Sequence, residues 1–114
     1  MSKSPEIFLG HILESIDIIH SYVNGLSKDD FLHSIQAQDS TIRRLEIIGE
    51  AVKNLPLIFR ERYPDVPWHL AAGMRDKLIH MYFDVDLEIT WETVKEDLPG
   101  FEARVREIVA ELQQ

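Results

Sequence analysis

The chain contains no cysteine. Disulfide scaffolds, cysteine-ligated zinc and thiol catalysis are thereby excluded, and a cytoplasmic setting is the default expectation. Long apolar runs are also missing. None approaches the ~20 residues needed to cross a bilayer, so a membrane protein is not expected. The opening stretch MSKSPEIFLGH has no long apolar core behind a basic start, and no signal peptide is read there. Glycine and proline are scarce, five of each in 114 residues, and no low-complexity segment or internal repeat is visible. Basic charge is in deficit: twelve Lys and Arg face twenty Asp and Glu, a net charge of −8. Taken alone, that argues against a nucleic-acid binder. There is no alternating strand pattern, no glycine-rich phosphate loop, no HExxH and no GxSxG.

What is present is apolar content at helical spacing. Hydrophobic residues make up 45% and charged residues 28%, enough apolar surface to offset the entropy of ordering one domain over residues 1–114. Ser4 as N-cap and Pro5 in the first turn open a helix whose apolar face runs Phe8, Ile12, Ile16, Ile19, Val23. Leu9, Leu13 and Ile18 widen that face, so this helix is expected to touch more than one neighbour. Asn24-Gly25 ends it, and Ser27 caps the short turn KDDFLHS. The next long helix is expected from near Asp39 or Ser40, with Ile42, Leu45, Ile48, Val52 and Leu55 inward and Gly49 permitting a close approach. LIFRERY reads as a short helix, PWHLAAG as a single turn, and Met74–Met81 as a further helix. Asp84 or Asp86 then caps the last element, where Leu87, Trp91, Val94, Leu98, Phe101, Val105, Ile108 and Leu112 recur at steps of four and three. Pro99-Gly100 predicts a kink in it or a break between two collinear helices. The fold class is therefore all-α: an up-and-down bundle of four main helices plus short connecting ones. Its surplus apolar surface suggests pairing with a second copy.

Charge is distributed unevenly. Residues 84–114 carry nine acids and three bases, whereas residues 43–77 carry seven bases and five acids. The mildly basic middle could face phosphate while the acidic C-terminal part faces water, although solvated helix faces would look the same. His11, His20, His33 and His69 have no partners at ligand spacing and read as surface or structural. The stretch Arg75-Asp76-Lys77-Leu78-Ile79-His80-Met81-Tyr82 is different. It sets a permanent cation, an imidazole titrating near pH ~6.5 and a phenol close together. On an ideal helix Arg75 and Tyr82 lie about 20° apart, but His80 lies about 140° around from Arg75. One straight helix does not converge them. Convergence needs the reach of the Arg side chain, a helix end near His80, or a second subunit. On its own residues, the stretch reads as structural before it reads as catalytic.

Arg-x4-His-x-Tyr resembles the signature of HEPN-domain ribonucleases of the HepT type, the toxin halves of HEPN/MNT toxin–antitoxin pairs. The similarity extends through RRLEIIGEAVKNLP, FRERYPDVPW and AGMRDKLIHMYFDVDLEITWETVKEDLP, over most of residues 40–99. The position after the arginine, Asp76 here, is more often Asn in that family. The resemblance implies a HEPN bundle acting as a homodimer, with two motifs facing one cleft, and metal-independent cleavage of RNA without cofactors. Arg75 and His80 would be the catalytic pair. Asp76 would support them, or serve only as a first-turn acid. Tyr82 would accept AMP from a cognate minimal nucleotidyltransferase antitoxin, or simply pack beneath the motif. A non-catalytic helical partner of such a nucleotidyltransferase is the alternative, and the acidic balance favours it.

Overall fold

The computed structural model describes residues 4–69, 71–72 and 86–114, and they are helical with no strand among them. The elements are α1 (Pro5–Val23), α2 (Lys28–Leu32), α3 (Ile35–Asn54), α4 (Leu57–Arg62) and α5 (Leu87–Glu92). A π-helical turn (Thr93–Asp97) and α6 (Leu98–Leu112) follow α5. Among the described residues no helix is long and apolar enough to cross a membrane. The expected helix over Met74–Met81 lies outside the described residues, so three of the four expected main helices are seen: α1, α3 and the α5–α6 rod.

Helix α1 is the central element. Leu9, Ile12, Ile16 and Ile19 are wholly buried and Val23 nearly so, while Phe8 and Leu13 are partly buried at the flanks. The helix packs against both α3 and α6, which accounts for its wide apolar arc. Pro5 occupies the first turn after Ser4, although the Ser4 side chain makes no capping bond. Gly25 turns the chain at φ +86°, a left-handed conformation that glycine adopts without a Cβ penalty. Ser27 and Asp30 then form a reciprocal capping box at the start of α2.

The long helix α3 begins at Ile35, several residues before the expected start at Asp39 or Ser40. Polar capping supplies the extra turn. Ser34 Oγ accepts from the Ala37 N–H at 3.1 Å, and Gln38 Nε2 donates to the Phe31 and Leu32 carbonyls at 3.0 and 3.1 Å. These bonds tie the end of α2 to the start of α3 where no apolar stripe marks the boundary. Further along, Ile42, Leu45, Ile48, Val52 and Leu55 are all buried, as is Gly49.

The C-terminal rod follows the predicted stripe. Val94, Leu98, Phe101, Val105 and Ile108 are buried, with Leu87, Trp91 and Leu112 partly so. Asp86 is the observed cap: its Oδ1 accepts from the Glu88 and Ile89 N–H groups at 3.0 and 3.1 Å. The interruption expected at Pro99 appears as a widened turn just before it. The Leu98 N–H reaches back to the Thr93 carbonyl in an i to i−5 bond. Pro99 lacks an N–H, and its ring would crowd the Lys95 carbonyl in a regular helix. The π turn accommodates it and keeps the rod continuous.

Polar contacts clamp α1 to α6. His20 Nε2 lies 2.7 Å from Glu102 Oε1, Arg106 Nε donates to Glu102 Oε2 at 2.9 Å, and Arg106 also reaches Asp17 Oδ1 at 2.9 Å. Burial pushes the Glu102 carboxyl up, but hydrogen bonds from His20 and Arg106 outweigh it and hold the group below the usual carboxylate range. A depressed carboxylate stabilises the fold above its unfolded pKa, and that contribution disappears as pH falls through the folded value. Urea titrations at several pH values should show Glu102→Gln less stable than wild type at pH 7, with the two converging at acid pH. A constant gap across pH 3–7 would contradict this reading. Between α1 and α3, the buried hydroxyls Ser15 Oγ and Thr41 Oγ1 have no hydrogen-bond partner. Thr41→Val removes an unsatisfied polar atom at nearly constant shape, so unfolding free energy should rise by about 1 kcal/mol. A comparable loss would show that the hydroxyl is needed.

Candidate functional site

Arg75, Asp76, His80 and Tyr82 lie outside the described residues. The structure describes the chain on either side of them, at Ala72 and at Asp86. Both flanks are firmly built.

On the upstream side, α4 leads into a turn packed by aromatics. Trp68 is buried and its Nε1–H donates to the Tyr63 carbonyl at 3.1 Å. Its ring meets Phe101 edge-on at 6.0 Å and Phe59 at 6.5 Å, and Phe59 meets Tyr63 at 5.3 Å. These contacts pin the segment after α4 against α6. Arg104 reinforces the pin. Its Nε donates to Asp65 at 2.7 Å, its Nη1 lies 3.2 Å from Glu107, and its guanidinium sits over the Tyr63 ring at 5.5 Å. The Arg104 hydrogen bond holds the Asp65 carboxyl below its ordinary value. The Tyr63 hydroxyl donates to Glu111 at 3.3 Å, and burial together with that carboxylate pushes the phenol up. On the downstream side, the Asp86 cap starts the rod.

Beside the upstream flank is a cavity of about 600 Å³ between α3, the Trp68 turn and the rod. Leu45, Ile48, Leu98 and Phe101 form its apolar walls, and Ala71 lines it close to where the chain approaches the motif. Asp65, Glu96, Asp97 and Arg104 supply its charged groups. With Arg104 already held by Asp65, the lining is negative in balance and repels phosphate. Among the described residues no group of three or more His, Asp or Glu is placed to hold a metal ion. His11, His20, His33 and His69 are not brought together. His20 serves the clamp on α6, and His33 Nδ1 lies 2.8 Å from the Asp29 carbonyl.

Residues 12–108 match the family described as Ribonuclease HepT-like. The chain belongs to the HepT-like ribonuclease family. Among its relatives is a protein of Methanocaldococcus jannaschii named "Gamma-glutamylcyclotransferase and putative RNase", 51% identical over 114 residues. The alignment covers all of this chain but only 51% of that relative, so the chain spans about half its length. A "Putative RNase" of Caldanaerobacter subterraneus subsp. tengcongensis is 48% identical over 107 residues, covering 94% of this chain and 96% of the relative. A "Probable ribonuclease HepT" of Thermococcus cleftensis is 43% identical over 108 residues, covering 95% and 98%. No solved structure matches. The matched HepT-like span includes the whole Arg75–Tyr82 stretch and both of its flanks.

The aromatic pin was not legible as such in the sequence. Trp68 follows directly on Pro67, with no periodicity to mark it as core. Only the run FRERYPDVPW, as a block, hinted that this connection is specific. The pin makes a direct prediction: Trp68→Ala should cost about 3–5 kcal/mol of stability. Trp68→Phe should lose less, because it keeps ring contacts and gives up the bond to the Tyr63 carbonyl. Equal losses in chemical denaturation would show that the hydrogen bond, not the packing, anchors the turn.

Proposed function

We propose that this chain is a metal-independent endoribonuclease toxin of the HEPN/MNT type that cleaves RNA, mRNA or tRNA, by attack of the ribose 2′-OH. The observation that carries the proposal is the order Arg75, Asp76, His80, Tyr82 inside a chain of the HepT-like family. In the proposed reaction the 2′-oxygen bonds to the adjacent phosphorus and the bond to the 5′-oxygen breaks. The products are a 2′,3′-cyclic phosphate and a 5′-hydroxyl. Imidazole suits the proton transfers, taking the 2′-OH proton or protonating the departing 5′-oxygen, because it titrates near neutral pH. Guanidinium suits the phosphate, offering paired donors and a permanent charge to oppose the charge that builds on the equatorial oxygens. Asp76 would orient one or both. Two copies of the chain, each contributing one arginine and one histidine to a shared cleft, would resolve the angular separation of Arg75 and His80 on a single helix.

Tyr82 is the proposed control point. A minimal nucleotidyltransferase would transfer AMP to its oxygen: the phenolate attacks the α-phosphorus of ATP and pyrophosphate leaves. The added bulk and negative charge would close the phosphate site by clash and repulsion. A second reading, in which the chain is a non-catalytic companion of such a nucleotidyltransferase, draws support from the acid-rich rod and cavity lining.

Incubation with RNA in excess EDTA separates the two readings. Cleavage to cyclic-phosphate ends is expected from wild type, and a drop of about 100-fold or more from Arg75→Ala and from His80→Ala. RNA left equally intact by all three proteins would favour the non-catalytic companion. With the partner and ATP present, Tyr82→Phe should take up no AMP and should stay active. Full neutralisation of Tyr82→Phe would count against control by modification.

A further inference from the structure

We propose that α4 is an RNA-backbone contact surface, with Arg60 and Arg62 holding phosphates of the strand on its way to the motif. The inference rests on the ribonuclease reading and adds where the rest of the substrate lies.

On the rod side Arg104 and Arg106 are paired with acids, and Lys95 lies over the Trp91 ring. Lys28 lies 3.8 Å from Glu88, Arg104 2.7 Å from Asp65, and Arg106 2.9 Å from both Asp17 and Glu102. On α3, Arg43 lies 3.5 Å from Glu46. Among the described residues Arg60 and Arg62 form no ion pair, and neither does Arg44 on α3. Arg60 also keeps its Nε buried without a hydrogen-bond partner. Arg60 and Arg62 flank the exposed Glu61 on one short helix without pairing to it, leaving that helix a net positive charge and Arg60 an unmet donor. An anion would offset that charge.

The surroundings favour a nucleic-acid backbone. Leu57 and Ile58, on the same short helix, are 63% and 68% exposed. Exposed aliphatic surface beside free arginines suits sugars and base faces as well as phosphates. The alternative approach, over the rod, meets an excess of acids: residues 84–114 carry nine acids against three bases. Finally, the Trp68 turn joins α4 directly to the stretch that carries Arg75 and His80. A strand held on α4 would therefore reach the motif along the upstream part of the chain, where Arg60 and Arg62 offer cationic charge.

The test uses the full-length protein and a single-stranded RNA made uncleavable by 2′-O-methylation, titrated at a series of KCl concentrations. Each phosphate contact to a single strand contributes about 0.7 to the slope of log K against log salt. The double variant R60Q/R62Q should lose about 1.4 of that slope by the same rule, whereas Lys95→Gln on the rod should lose none. Cleavage of a dinucleotide, too short to reach α4, should be unchanged in R60Q/R62Q. If the slope is unaltered in a protein that still cuts RNA, the inference is overturned. It is equally overturned if R60Q/R62Q changes the oligomeric state and leaves the slope intact, which would make α4 a protein interface. If no variant cuts RNA but R60Q/R62Q still lowers the slope, the nuclease reading fails and the contact surface stands.

Discussion

The packing of Trp68 between Phe59 and Phe101 is the contact on which the proposed chemistry depends. It fastens the connection after α4 to the C-terminal rod, and Arg104 doubles the attachment through Asp65 and the face of Tyr63. Buried aromatic contacts of this kind exchange a large apolar area for a defined geometry. The chain therefore approaches the motif stretch from a fixed point and leaves it at another, the Asp86 cap. A constellation that needs its groups placed within fractions of an ångström benefits from rigid supports on both sides.

The wider fold supplies those supports and sorts the charge. Helix α1, with Leu9, Ile12, Ile16 and Ile19 wholly buried, packs against both α3 and α6, and the His20–Glu102–Arg106–Asp17 clamp fixes its register on α6. The same rod that packs inward with an unbroken apolar stripe presents an acidic exterior. Most described cations near it are consumed in pairs with those acids. The net charge of −8 is thus no obstacle to phosphate binding elsewhere, because residues 84–114 carry nine acids against three bases while residues 43–77 carry seven bases against five acids.

Much of this architecture can be read from spacing. The stripes of α1, α3 and the rod predicted which residues are buried, and Gly25, Ser27 and Asp86 marked boundaries by local chemistry. What escaped depends on residues distant in the chain. The early start of α3 comes from Ser34 and from Gln38 reaching back to α2, polar bonds that leave no apolar periodicity. Pro99 announced a disturbance, but only the surrounding packing decides between a break and a π turn. The pairing of His20 with Glu102 spans 82 residues, and nothing local predicts it. The candidate site was legible in another way: as an order of residue types, Arg75 to Tyr82, whose meaning came from family resemblance. Helical geometry alone argued against their convergence on one straight helix, which is why a second copy enters the account.

The most direct measurement replaces a single ribose. In an RNA cut by wild-type protein in EDTA, the nucleotide that supplies the attacking hydroxyl is changed to its 2′-deoxy form, leaving bases and phosphates untouched. The account predicts that cleavage at that bond stops while binding is essentially unchanged. Cleavage at the original rate would show that the 2′-oxygen is not the nucleophile, and the roles assigned to Arg75 and His80 would fall with it.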